Sequence, residues 1–216
     1  MAAETKPKIT DQPIVELSPK DGHIPEFLNG DFYYFANFIK NQREVFDCIL
    51  ETTKWGQGTV KVYGKEHDEP RLTCLFSTQP GRTYSYSGRT TESVAFPKTI
   101  ELLREAVSKV AGTDLDTCLV NLYRNGNDKI GMHSDKEVDL VPNAPIASIS
   151  LGAVRHFDIW CKVTAPQQHP RYRIDLANGS LMIMGDNSQL HYLHGVPEQK
   201  KVKEPRINLT FRQTKD

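Results

Sequence analysis

The spacing of apolar positions divides the chain into a polar start, a helical stretch, a punctuated middle and a long β-rich half. Residues 1–23 are polar and carry Pro7, Pro13 and Pro19. They read as a loose tail with one edge-strand segment, Ile14 to Leu17. Asn29 and Gly30 mark a turn, after which Asp31 to Trp55 reads as helical. Val45, Phe46, Ile49 and Leu50 form a stripe with helical period, and Asn41 followed three residues later by Glu44 fits a capping box. The aromatic cluster Phe32, Tyr33, Tyr34, Phe35 and Phe38 is expected to pack nearby. A second helix is predicted over Pro97 to Ala111. Proline sits at its first turn, Ile100, Leu103, Val107 and Val110 line one face, and Gly112 stops it.

Between the helices, Lys54 to Gly88 is broken by Gly56, Gly58, Gly64, Pro70, Pro80 and Gly81 into short strand-like pieces such as Thr59 to Tyr63 and Leu72 to Phe76. From Asp116 onward the pattern is β throughout. The expected strands are Cys118–Tyr123, Ile146–Leu151, His156–Val163, Arg171–Leu176, Ser180–Met184 and Ile207–Arg212. Many short strands separated by Gly, Pro and Asn turns predict a sandwich or barrel, here an α+β, mainly β jelly roll open at one end. Residues 24–216 are expected to form one domain.

Composition narrows this picture only slightly. Lys plus Arg balance Asp plus Glu at 27 each, so a phosphate-binding surface would have to be a local patch. The four cysteines form no C-x-x-C pair, which argues against a zinc knuckle. They read as reduced thiols of an intracellular protein, nuclear or cytoplasmic. No apolar run approaches membrane-spanning length.

Candidate chemistry begins where the strand Cys118 to Tyr123 breaks at Asn125-Gly-Asn-Asp128 and leads to His133-Ser-Asp135. Residues two apart on an extended chain point the same way, so this imidazole and carboxylate can reach one metal. Alone, the pair reads more simply as a polar surface turn. A third donor changes the reading. His194 lies in Leu190-His-Tyr-Leu-His-Gly195, with 58 residues between it and Asp135. Two imidazoles and a carboxylate make the facial triad of non-haem Fe(II) oxygenases. His191 competes with His194, and spacing alone does not choose. Near the C-terminus, Arg206, Asn208, Thr210 and Arg212 share one face of a strand while Ile207, Leu209 and Phe211 share the other. The arginines either face water or turn inward as forks for carboxylates.

Asn121-x-Tyr123, His133-x-Asp135, His194 and Arg206-x-Asn208-x-Thr210-Phe211-Arg212, in that order, resemble the AlkB-type Fe(II)- and 2-oxoglutarate-dependent dioxygenases that demethylate nucleic acids. The resemblance covers roughly Thr59 to Gln213. Pro70-Arg-Leu-Thr73 and Glu204-Pro-Arg-Ile-Asn208 are closest to the eukaryotic homologues that repair alkylated DNA and RNA. It implies a double-stranded β-helix with supporting helices and a nucleotide-recognition lid over about residues 54–96. It also implies Fe(II) on His133, Asp135 and His194, the last preferred to His191. 2-Oxoglutarate would be held by Asn121, Tyr123, Arg206, Asn208 and Arg212, with O2 as co-oxidant. Substrate contacts fall on Tyr63, Arg71, Phe76, Tyr84, Tyr86 and Glu137. Expected substrates are N1-methyladenine and N3-methylcytosine in DNA or RNA, released as formaldehyde and repaired base by a monomeric enzyme. Two alternatives stay open: a same-fold oxygenase acting on a protein or small molecule, and a zinc-loaded binding module.

Overall fold

Strands that are apolar on one face and polar on the other bury both only if each face is covered. This chain covers them with helices on one side and a second sheet on the other. A computed structural model of the chain describes residues 14–17, 22–23, 31–62, 64–86, 89–136, 138–162 and 171–215. In chain order the elements are β1 (Ile14–Leu17), β2 (Gly22–His23), β3 (Phe32–Phe35), helix α1 (Gln42–Thr52), β4 (Gly56–Val62), β5 (Lys65–Ser77), β6 (Thr83–Tyr86), β7 (Arg89–Glu92) and β8 (Val94–Ala95). Then come α2 (Lys98–Ala111), β9 (Thr117–Tyr123), β10 (Ile130–His133), β11 (Ile146–Gly152), β12 (Arg155–Cys161), β13 (Arg171–Leu176), β14 (Ser180–Met184), α3 (Ser188–His191), β15 (Tyr192–Val196) and β16 (Arg206–Arg212).

The larger sheet runs β2-β3-β14-β11-β16-β9-β5-β4, with β8 added to β5. The smaller runs β1-β13-β12-β15-β10. Two cores follow from the alternation of side chains. Ile207, Leu209 and Phe211 of β16 meet Val45 and Ile49 of α1 and Ile100, Leu103 and Val107 of α2 on the helix side. Phe32, Tyr34, Met182 and Met184 of the larger sheet meet Phe157, Ile159, Tyr172 and Ile174 of the smaller between the sheets. This is the mainly β jelly-roll layout that the strand pattern predicts.

Differences are local. Asp31 to Trp55 is not one helix, because Phe32–Phe35 pairs with β14 as a strand and only Gln42–Thr52 is helical. Four consecutive aromatics bury alternate side chains on a sheet, with Phe32 fully buried and Tyr33 exposed, which a helix would not achieve. Asn41 is the N-cap of α1, but its side chain makes no capping hydrogen bond. Gly112 ends α2 in the left-handed conformation, as expected. Ile14–Leu17 is indeed an edge strand, parallel to β13. The stretch expected as a lid is partly continuous with the larger sheet through β4, β5 and β8, while β6 and β7 form a separate hairpin.

Two loops next to the small sheet are locked together. Gly126 donates its N–H to Val202 O and accepts from Gln199 N–H. A Cβ on Gly126 would run into the Gln199 carbonyl, whereas one on Gly131 would meet nothing. Gly126→Ala should therefore lower stability by about 1–3 kcal/mol, the usual range for overpacking, while Gly131→Ala stays near wild type. Urea denaturation of both variants checks this, and equal stabilities would contradict it.

Candidate active site

The site is built where the end of the larger sheet's polar face meets one edge of the smaller sheet. Cross-strand register does the assembly. Arg206 is opposite Tyr123 and Asn208 opposite Asn121, because β16 pairs with β9. His133 is opposite His194, because β10 pairs with β15. The β10–β15 ladder shifts by one residue between Ile130 and His133, and such a shift re-aims the side chains beyond it.

His133, Asp135 and His194 each offer one ligand atom, all within 4.8 Å of one another. The two imidazole rings lie 4.5 Å apart, and the Phe157 ring stacks on His194 at 5.4 Å. The His133 Nδ1–H donates to Gly131 O at 2.9 Å, which leaves Nε2 as the lone-pair nitrogen. That Nε2 is 3.4 Å from Asp135 Oδ1. Asp135 Oδ1 is buried and has no hydrogen-bond donor, whereas Oδ2 accepts from Arg212 Nη2 at 2.8 Å and Nε at 3.2 Å. The Asp135 N–H is fixed by Gln189 Oε1 at 2.8 Å. Protonation favours the ligand forms of Asp135 and His194. Burial alone would raise the Asp135 carboxyl, but Arg212 and the histidines outweigh it and hold the group strongly ionised. Burial, with His133 nearby, pushes His194 down to about 3, so its ring is neutral. For His133 burial is outweighed by Asp135 and the Gly131 carbonyl, and its pKa rises. Two neutral-capable imidazoles and one orphaned carboxylate oxygen suit a divalent cation with open positions.

His191 stands apart. It ends α3 with Nδ1 3.9 Å from Asp31 Oδ2, so it does not join the cluster that His194 completes.

His133, Asp135 and His194 line one cavity together with Asn121, Tyr123 and Arg206, and its other end is cationic. Arg206 is completely buried, and Nη2 donates to Ser150 Oγ at 2.8 Å. Its Nε and Nη1 are buried without a partner. Burial, reinforced by Arg155, drags its pKa to about 10 despite Tyr123, so it remains charged at neutral pH. A guanidinium with two idle donors fits a carboxylate. Asn121 Oδ1 accepts from Arg71 Nε at 3.0 Å, which reserves the amide NH2 for a ligand. Asn208 spends its NH2 on Ser148 Oγ and Ile149 O, so it braces β11 beside the cavity.

The expected substrate contacts fare differently. Phe76 packs in the helix-side core against Phe96, at 6.0 Å, because even-numbered β5 positions face that side. From there it does not face a groove. Arg71 lies on the opposite face, nearly fully buried, 3.5 Å from Glu69 as well as bonded to Asn121. Tyr84 and Tyr86 lie two apart on β6, paired with Thr91 and Arg89. Tyr63 and Glu137 fall outside the described residues; Gly64, beside Tyr63, turns the β4–β5 hairpin at φ 79°. Sequence reasoning missed Gln189, for which no pattern gave a signal. It also missed Arg155, whose inward phase with Phe157 and Ile159 was readable.

A jelly roll with a His/Asp/His cluster and a buried arginine opposite it defines a class, the metal- and keto-acid-dependent oxygenases. Residues 31–212 match the 2OG-Fe(II) oxygenase superfamily, and the chain belongs to that family. It is thus an Fe(II)/2-oxoglutarate-dependent dioxygenase that uses O2. The chain is 39% identical over 176 residues to the DNA oxidative demethylase ALKBH2 of Homo sapiens, covering 78% of this chain and 67% of that protein. It is 33% identical over 181 residues to the alpha-ketoglutarate-dependent dioxygenase alkB homolog 3 of Bos taurus, covering 81% and 62%. Among solved structures, a 2OG-Fe(II) oxygenase family oxidoreductase from Burkholderia pseudomallei shares the fold, with TM-score 0.60 at 15% identity, covering 92% of this chain and 93% of that one. The structure of OsALKBH1 does so with TM-score 0.58 at 20% identity, over 85% and 96%.

Asp135→Ala should lose Fe(II) retention with the fold intact, while His191→Ala keeps it. Metal analysis after anaerobic loading checks both, and a His191 variant that loses iron would reverse the ligand assignment.

Proposed function

We propose that the chain is an oxidative demethylase of N-alkylated bases in nucleic acid, DNA in the first place. The observation that carries the reading is the pairing of the ligand cluster with the partnerless Arg206 donors across one cavity. The relatives named DNA oxidative demethylase ALKBH2 support the substrate class. No described helix is long and apolar enough to cross a membrane. A nuclear or cytoplasmic setting and a monomeric state belong to the same proposal.

When bound, Fe(II), 2-oxoglutarate and O2 supply the oxidation that turns an N-methyl group into a hydroxymethyl group, which leaves as formaldehyde. The protein's part is positioning and charge. His133, Asp135 and His194 would hold the metal. Arg212 keeps Asp135 ionised and occupies Oδ2, which leaves Oδ1 without a hydrogen-bond donor. Arg206 would take the distal carboxylate of 2-oxoglutarate, with Asn121 and Tyr123 beside it. Phe157 and the apolar positions between the sheets keep water from the chelating end. On the substrate side, Tyr84 and Tyr86, two apart on β6, would supply an aromatic face for an extruded base, and Glu137, outside the described residues, a carboxylate for its cationic ring. N1-methyladenine and N3-methylcytosine are cationic and cannot pair normally, so they cost less to extrude.

Incubation with Fe(II), 2-oxoglutarate and an oligonucleotide carrying N3-methylcytosine should give repaired base, formaldehyde and succinate together. Succinate formation with no repair of any methylated oligonucleotide would favour the protein or small-molecule alternative. Arg206→Lys should raise the KM for 2-oxoglutarate about tenfold or more, because an ammonium replaces the fork with a point charge, with little change in oligonucleotide affinity. Tyr86→Ala should lower turnover of methylated oligonucleotide by roughly 5–150-fold, the equivalent of about 1–3 kcal/mol of stacking. Product analysis by mass spectrometry reads both, and wild-type turnover in Tyr86→Ala would remove that residue from the pocket.

A further inference from the structure

Arg155 is 1% exposed on the inner phase of β12. Its guanidinium is held by four neutral oxygens. Nε donates to Gln199 Oε1 at 2.9 Å and Nη1 to Asn125 O at 3.1 Å, while Nη2 donates to Asp128 O at 2.9 Å and Pro197 O at 2.7 Å. The nearby Asp128 carboxylate is occupied by Arg124, at 2.8 and 2.9 Å. Arg155 and Arg206 both lie over the Tyr123 ring, at 5.7 and 5.2 Å from its centroid. Two buried like charges around one ring repel each other, and the Asp128 carboxylate that partly offsets Arg155 is shared with Arg124. A merely structural clamp for two loops needs donors, not a charge.

We propose that Arg155 is a positioning residue for the 2-oxoglutarate pocket, holding Tyr123 against Arg206 and lending the distal carboxylate site a second positive charge. The inference rests on the reading of Arg206 as the distal carboxylate partner. The four bonds explain how the charge is placed. They come from the 125–128 and 197–199 segments, the same loops that Gly126 locks, so the guanidinium cannot swing towards solvent. Arg155 does not touch the ligand cluster. Its influence is therefore confined to the end of the cavity that receives the carboxylate, and metal binding is independent of it.

The test uses the full chain with Mn(II) in place of Fe(II) and titration calorimetry. Arg155→Gln keeps polar reach but removes the charge. It should bind Mn(II) within about twofold of wild type and 2-oxoglutarate about tenfold more weakly. Arg155→Lys keeps the charge on fewer bonds and should lose only about threefold, which a purely structural role would not rescue. If Arg155→Gln does not fold, Arg155→Lys decides alone: weaker 2-oxoglutarate binding with unchanged Mn(II) binding supports the inference. Unchanged 2-oxoglutarate affinity in both variants overturns it, as does an equal loss of Mn(II) and 2-oxoglutarate. Failure of the underlying reading would look different, since wild type and Arg206→Lys would then bind 2-oxoglutarate alike.

Discussion

The constraint that organises this molecule is the burial of β16 along its whole length with two arginines on it. Charged side chains enter a protein interior only when something there receives them. Arg212 is received by Asp135, so an ion pair stands behind one metal ligand. Arg206 is received by one serine hydroxyl and the Tyr123 ring, while its Nε and Nη1 are buried without a hydrogen-bond acceptor. One strand thus carries a satisfied charge at the metal end of the cavity and an unsatisfied one at the other. The helix side of the same strand is ordinary core, which is what holds the polar side in place.

This asymmetry divides the labour of the cavity. With both imidazoles unprotonated, the Asp135–Arg212 pair leaves the ligand cluster close to neutral, so a divalent metal brings its own positive charge. The far end is positive already through Arg206 and Arg155. On the proposed reading, a small dianion with one chelating and one plain carboxylate end would meet a cation at both ends. Ser148 and Ser150 of β11 brace this face through Asn208 and Arg206. The scaffold therefore spends its short polar side chains on orientation and its charged ones on recognition.

Much of this was legible in the chain because β-strands write their faces at period two. Arg171–Leu176 and Ser180–Met184 have the bounds expected from the sequence, and the alternating C-terminal strand shows which residues share a face. Other features were hidden by physics that sequence spacing does not carry. The aromatic run 32–35 fits a helix or a strand until its partner β14 is known. Phe76 and Arg71 look alike as groove residues until strand phase separates them. Telling His194 from His191 needs the break between α3, which ends at His191, and β15, which carries His194; it leaves His191 beside Asp31. Gln189 touches Asp135 only because chain segments far apart in sequence meet.

The one-residue shift in the β10–β15 ladder has a further meaning. Side chains on a strand alternate, so the shift decides whether the imidazole of His133 and that of His194 look into the same space. Had the ladder continued unshifted from Ile130 and Val196, Met132 would stand opposite His194. Metal occupancy is thus a gauge of strand alignment. Only a chain that has zipped this edge in the right frame can close a ligand shell, and misaligned folding products would be marked by an empty one.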